Sequence, residues 1–182
     1  MKNCIGLIEL TSIAAGFQVC DQMLKAAEVE LVLSRSICSG KYIVLVRGDV
    51  AAVQASLAAG KDAGEFSVID YFVIPNVHES LFPAIAGTTP RGQMQALGIL
   101  ESFSVASLIE GADAAVKSAN VVLLEVRLAM ALGGKAFATI TGSVADVQAA
   151  VEAGAQVIGK KGLLVNKVVI PNPREELLTE VL

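Results

Sequence analysis

The sequence has 182 residues, a formal net charge of −4 and three widely spaced cysteines, and 54% of its residues are apolar. Scattered Lys and Arg residues argue against nucleic acid or an anionic membrane surface as a partner, and no run approaches the ~20 consecutive apolar residues that a membrane span needs. An odd number of distant cysteines does not suggest a disulfide framework and the N-terminus lacks the layout of a signal peptide, so we expect a cytoplasmic protein of one large or two small domains.

The first predicted elements are a strand over 4–10 and a helix that follows it. Ser12 stands where a helix N-cap belongs, because its hydroxyl can accept a hydrogen bond from the first turn. The apolar residues that follow recur at a spacing of three or four, which is typical of one face of a helix. They are Ile13, Phe17, Cys20, Leu24 and Ala27. We therefore expect this face in the core, with Cys20 acting as a small buried hydrophobic residue.

Two apolar runs, 29–37 and 41–47, predict a β-hairpin around the turn 36–41, Ser-Ile-Cys-Ser-Gly-Lys. We call this turn the Cys38 turn. Glycine accepts a positive φ at no steric cost and serine can hydrogen-bond its own backbone, so both favour a tight turn. A second helix is expected to begin after Asp49, as its cap, and to end at Gly60. A last strand closes the unit.

The second half of the chain repeats the first. Residues 5–9, Ile-Gly-Leu-Ile-Glu, return at 97–101 as Leu-Gly-Ile-Leu-Glu, and the pair Gly-Lys at 40–41 returns at 134–135. Further matches continue into the last strand, which indicates a tandem duplication. The second copy carries two extra residues ahead of its Gly-Lys pair and no thiol in its turn. The two turns are therefore not equivalent.

Each copy has the order β-α-β-β-α-β of the ferredoxin-like split β-α-β plan, so the predicted fold class is α+β. A polar segment with Gly and Pro joins the copies. We place the first domain at 1–88 and the second at 95–182. The second should contain a first helix capped by Ser104, a hairpin of 121–129 with 135–141, and a helix from a Ser143 cap to Gly154.

The motifs of both copies resemble the bacterial microcompartment (BMC) shell domain. They are Gly-Leu-Ile-Glu at 6–9, Asp-x-x-x-Lys-Ala-Ala at 21–27, the Gly-Lys hairpin, and Gly-Asp-Val-Ala-Ala-Val at 48–53. Because the resemblance spans nearly the full length, the chain resembles a tandem-BMC shell protein. This resemblance implies a homotrimer that forms a pseudohexamer of six domains around a pore. It also implies a structural, non-enzymatic tile that packs with other shell proteins of the same compartment, in the microcompartment shell.

The resemblance gives Cys38 a role. In one kind of tandem shell protein an Ile-Cys-x-Gly-Lys turn binds a [4Fe-4S] cluster at the trimer axis, and the same pattern stands at 37–41, with Ser39 where proline is expected. Three chains would supply three thiolates for one cluster per trimer, and the fourth iron ligand would come from outside this motif. Such a tile would move electrons across the shell, with a redox enzyme or electron carrier as partner, or deliver the cluster.

A plain pore is the alternative. Cys38 can simply narrow an opening that passes small metabolites, without a metal centre. On either interpretation the resemblance assigns the pore turns to Ile37, Ser39, Gly40, Leu132, Gly133 and Gly134.

Lys25 and Lys117 recur at the end of the first helix of each copy. The helix dipole and solvent are enough to explain a lysine there. In shell domains, however, the lysine of this motif lies at the tile edge and packs against its mate on the next tile. The resemblance therefore favours an edge role for both.

Four other residues suggest structure rather than chemistry. Cys4 begins a buried strand, and His78 follows a strand in a loop, where a surface or capping position is expected. Glu9 and Glu101 recur, but no base or nucleophile accompanies either of them, so they predict no acid–base pair.

Overall fold

The computed structural model of the protein describes residues 3–90, 94–130 and 132–177. These residues form two compact units. One unit contains the described residues up to Val77 together with the segment Ala129–Gly134, and the other contains His78–Leu128 and the described residues from Lys135 onward. Among the described helices, none has both the length and the apolar character that a membrane crossing requires.

The first unit is a four-stranded antiparallel sheet with two helices packed against it and against each other. Its elements are β1 (Cys4–Leu10), α1 (Ile13–Ala26), β2 (Glu30–Ile37), β3 (Lys41–Gly48), α2 (Val50–Gly64) and β4 (Val68–Ile74). The strand order is β2-β3-β1-β4, with antiparallel pairing throughout. This arrangement confirms the predicted ferredoxin-like α+β fold. The central strand β1 is buried along its whole length.

The second unit repeats this plan after an additional short helix, and its strand order is β6-β7-β5-β8. Its elements are α3 (Leu81–Ala86), β5 (Ala96–Ser102), α4 (Val105–Ser118), β6 (Val121–Arg127), β7 (Ala136–Gly142), α5 (Val144–Lys160) and β8 (Leu164–Pro171). α3 has no counterpart among the predicted elements because it has only six residues and contains Pro83. Proline is tolerated there because the first helical turn needs no N–H donor.

The predicted helix caps are confirmed with a side-chain hydrogen bond at three positions, and at a fourth only in position. Ser12, Ser104 and Ser143 each accept a hydrogen bond from a backbone N–H in the first turn of their helices. Asp49 occupies the N-cap position of α2, but its side chain makes no capping hydrogen bond. The start of α2 therefore depends on its packing rather than on a cap.

Gly60 and Gly154 do not end their helices, contrary to the prediction, because α2 and α5 both continue past them. A Cβ on Gly154 would lie 2.6 Å from Leu100 Cδ1 and 2.7 Å from the carbonyl oxygen of Gly111. Glycine is needed at this position because α4 and α5 approach each other closely, not because the chain turns there.

The buried face of α1 differs from the predicted one. The buried residues are Gly16, Val19, Cys20 and Met23. Ile13, Phe17 and Leu24 were expected in the core but are 42%, 63% and 39% exposed. α1 has apolar residues on two faces, and periodicity alone does not tell which of them meets the sheet. The predicted burial of Cys20 and Cys4 is confirmed, and burial raises the pKa of the Cys4 thiol.

The close contact between α4 and α5 predicts different effects for two glycines of one helix. Gly154→Ala should lower the free energy of unfolding by about 1–3 kcal/mol, because the added methyl would overlap a backbone oxygen that cannot rotate away. Gly159→Ala is the control, because no atom lies within 4 Å of its added Cβ. It should leave stability unchanged or raise it by about 0.5–1 kcal/mol. Urea denaturation measures both, and equal stabilities would contradict close packing at Gly154.

Candidate functional site

The Cys38 turn is a single 3₁₀ turn, Cys38–Gly40, between β2 and β3. Ser39 has φ 64° and Gly40 has φ 69°, a region that glycine enters freely and serine rarely. Ile37 is buried and anchors the base of the turn, Cys38 is half-buried, and Ser39 and Gly40 are exposed. The Cys38 thiol is therefore carried at the tip of a short hairpin with a defined backbone.

A segment of the second copy supports this turn within the first unit. The backbone N–H of Cys38 donates to the carbonyl oxygen of Ala129 at 2.8 Å. Gly134, with φ 86°, lies so close to the turn that a Cβ on it would be 3.0 Å from Ser39 Oγ. These contacts were not predicted, and the loop carries no local signal that could have revealed them.

The connection between β6 and β7 is longer than the Cys38 turn, in line with the extra residues of the second copy. Leu132 is half-buried, Gly133 is exposed and Gly134 is buried. Ala131, also in the predicted second turn, lies outside the described residues. That these residues and those of the Cys38 turn line a pore stays a prediction.

An ion pair lies at the base of the Cys38 turn. Lys41 Nζ donates to Glu9 Oε1 at 2.9 Å; the Glu9 side chain is completely buried and that of Lys41 is 19% exposed. The counterparts Lys135 and Glu101 form the same pair at 2.6 Å in the second unit, where both side chains are more exposed. The recurrence of both residues at matching places in the two copies was the signal that could have revealed this pair.

Lys25 and Lys117 lie in the last turns of α1 and α4. Each forms an ion pair with the aspartate four residues earlier, Lys25 with Asp21 at 2.6 Å and Lys117 with Asp113 at 2.5 Å. The lysine side chains remain partly exposed, so both can reach a neighbouring molecule. Their role at a tile edge stays a prediction.

Cys38 is not part of a metal site within one chain. Among the described residues, no three His, Cys, Asp or Glu side chains are grouped so that they could hold a metal ion. His78, the one histidine, has its Nδ1 2.8 Å from Ser80 Oγ, next to the start of α3, and is half-buried. None of the cysteines forms a disulfide within the chain. A thiolate is the donor that iron–sulfur clusters use, so Cys38 suits such a centre only together with its copies in other chains.

Comparison with known proteins gives consistent findings. A family model described as "BMC domain" matches residues 4–77 and again 96–173. The chain is 45% identical over 177 residues to the bacterial microcompartment shell protein PduT of Citrobacter freundii, covering 97% of this chain and 96% of that protein. A carboxysome shell protein from Synechococcus elongatus is 40% identical over 85 residues, 44% of this chain and 83% of its own length. The crystal structure of a microcompartment protein from Desulfitobacterium hafniense has a TM-score of 0.87 and 50% identity, covering 97% of this chain and 98% of that one.

The two ion pairs at the bases of the turns predict different losses of stability. Lys41→Met should lower the free energy of unfolding by about 3–5 kcal/mol, because it removes the ammonium that faces the fully buried Glu9 carboxylate. Lys135→Met is the matched control and should cost about 1 kcal/mol or less, because water reaches Glu101. Thermal or urea denaturation measures both, and equal losses would show that burial does not set the strength of these pairs.

Proposed function

Because the chain belongs to the BMC domain family and is a structural shell protein of a bacterial microcompartment rather than an enzyme, we propose that it forms a trimeric, pseudohexameric tile with a [4Fe-4S] cluster on the three-fold axis. One Cys38 from each chain binds the cluster. The family match confirms the predictions of a shell protein, of its place in the microcompartment shell and of a non-enzymatic role. The cluster either transfers electrons across the shell or is delivered by the tile to another protein.

The position of Cys38 is the observation that carries this proposal. Cys38 is half-buried at the tip of the hairpin turn, within the pattern Ile-Cys-x-Gly-Lys. The second-copy turn contains no cysteine, so a trimer offers three thiolates rather than six. Three thiolates fit three of the four irons of one cluster, and the remaining iron takes a ligand from outside the turn.

Ser39 is the one departure from the expected pattern, and its conformation supports a distinct turn in this chain. Its φ of 64° is closed to proline, whose ring holds φ near about −65°. Gly134 lies close to the Ser39 side chain, which remains exposed. The thiol is thus held by a serine-containing turn that the second-copy loop supports.

The cluster is tested by anaerobic purification followed by iron and sulfide analysis and visible and EPR spectroscopy. We expect four iron and four sulfide per three chains, with the visible absorption of thiolate-bound iron. Cys38→Ser should abolish the colour and the bound iron. Cys20→Ala is the control and should keep both, because Cys20 is buried in α1 and its counterpart in the second copy is Ala112.

Colourless wild-type protein without iron would refute the cluster and favour the plain pore. In that case Cys38→Ser should leave the trimer, its assembly into sheets and the passage of metabolites unchanged.

The edge role of Lys25 and Lys117 is tested by replacing both with alanine. We expect fewer or smaller sheets by electron microscopy and unaltered trimers in solution, because both lysines are partly exposed at helix ends. Lys61→Ala combined with Lys160→Ala is the matched control, since it removes the same charge from exposed last turns of α2 and α5. Sheets that form equally well in both double variants would exclude the edge role.

A further inference from the structure

In the second unit, apolar side chains on α4 and β6 are buried. They are Val105, Ile109 and Val116 on α4, and Leu123 and Leu124 on β6. The short helix α3 packs against both elements and provides part of their cover. The segment that follows the last strand of the first copy is therefore used to close the apolar surface of the second.

Two contacts attach this covering segment. The backbone N–H of His78 donates to Asp113 Oδ1 on α4 at 2.8 Å. Three residues later α3 begins, and its Leu81 and Ala84 are fully buried. The Asp113 carboxylate is itself buried and also pairs with Lys117. The Asp113 carboxylate thus holds the backbone at His78, at the start of the covering segment. The apolar side chains of α3 form the rest of the contact.

The corresponding surface of the first unit is open in the single chain. The counterparts of the five buried apolar residues are between 38% and 63% exposed, and the aspartate that corresponds to Asp113 is exposed as well. We call this surface the α1 face, and it consists of Ile13, Phe17, Asp21, Leu24, Leu31 and Val32. A contiguous apolar patch of this kind marks an interaction site in a soluble protein.

The residues after β8 correspond in the repeat to those that cover α4. The sequence Val-Ile-Pro-Asn stands at 73–76 and again at 169–172, which makes Leu177 the counterpart of Leu81. The chain becomes helical again at 175–177, as it does in α3. Leu177 is exposed, whereas Leu81 is fully buried. One copy of the chain therefore carries both an open apolar surface and, in its described residues up to Leu177, an exposed segment that matches the one covering α4.

We propose that the segment after β8 of one copy covers the α1 face of a second copy, in the way that the α3 segment covers α4 within the chain. Leu177 packs against Phe17 and its apolar neighbours, and the backbone N–H of Arg174 donates to the Asp21 carboxylate, as that of His78 donates to Asp113. Such a head-to-tail contact uses two different surfaces, and a contact of this kind generates a closed ring where the rotation from one copy to the next closes, as the proposed trimer requires. The inference rests on the proposed trimer and names the contact that closes it.

Sedimentation of charged variants tests the contact. Phe17→Asp and Leu177→Asp should each abolish the trimer and leave single chains of 18.8 kDa. Both side chains are exposed in the single chain, so circular dichroism and thermal melting should show a folded protein. Phe66→Asp is the matched control, because Phe66 is fully exposed in the same unit, outside the α1 face, and its trimer should persist.

A cross-linking experiment identifies the paired segments. In a Cys38→Ser background, Asp21→Cys with Arg174→Cys should join separate chains through a short bifunctional maleimide, seen on a denaturing gel. Asp113→Cys with His78→Cys should be cross-linked within one chain, because these residues are already in contact. Its band on the gel should therefore stay at the mass of a single chain.

Trimers that persist in both Phe17→Asp and Leu177→Asp, or an absence of joined chains, would overturn the inference while leaving the proposed tile intact. Wild-type protein that sediments only as single chains would overturn both.

Discussion

Close packing of the helices on each other and on the sheet is the constraint on which both domains depend. Gly154 of α5 lies against the backbone of Gly111, and Gly60 of α2 lies against the side chain of Met23. A side chain at Gly154 would meet the Gly111 carbonyl oxygen and push α4 and α5 apart, whereas one at Gly60 would require the Met23 side chain to move. The helices therefore pack closely on the sheet, and the hairpin of β2 and β3 projects from this packed base.

The Cys38 turn is supported from three directions. Ile37 enters the core, the Glu9–Lys41 pair holds the beginning of β3, and Ala129 accepts the hydrogen bond of the Cys38 backbone. A donor atom on such a turn has little conformational freedom to lose when it binds a ligand. Of these three supports, the Glu9–Lys41 pair leaves a trace in the sequence through its recurrence in the second copy, and the contact with Ala129 leaves none.

The internal repeat made the element order predictable, because each motif occurs twice in the same sequence context. Periodicity could not tell which face of α1 meets the sheet, because α1 has a second apolar face. Phe17 belongs to this second face, which is exposed in the single chain. A glycine inside a helical pattern is also ambiguous. Gly60 could end α2 or could allow another helix to pack closely against it, and the sequence does not show that α1 packs there. The turn at Cys38 followed from Ser and Gly propensities. The hydrogen bond from the Cys38 N–H to the Ala129 carbonyl did not, because a contact between distant loops leaves no trace in local sequence.

The two dissimilar turns of one chain have a consequence for symmetry. A ring built from six identical domains repeats every group six times, so its axis can offer only multiples of six. When two domains are joined in one chain, the sequence of one turn can change without the same change in the other. In this chain one turn keeps a thiol, while the other turn has become a longer loop in which the Ala129 carbonyl accepts the hydrogen bond of the Cys38 backbone N–H. In the proposed trimer, duplication and fusion thereby leave three thiols around the axis, a number that a ring of six identical domains cannot present at its centre.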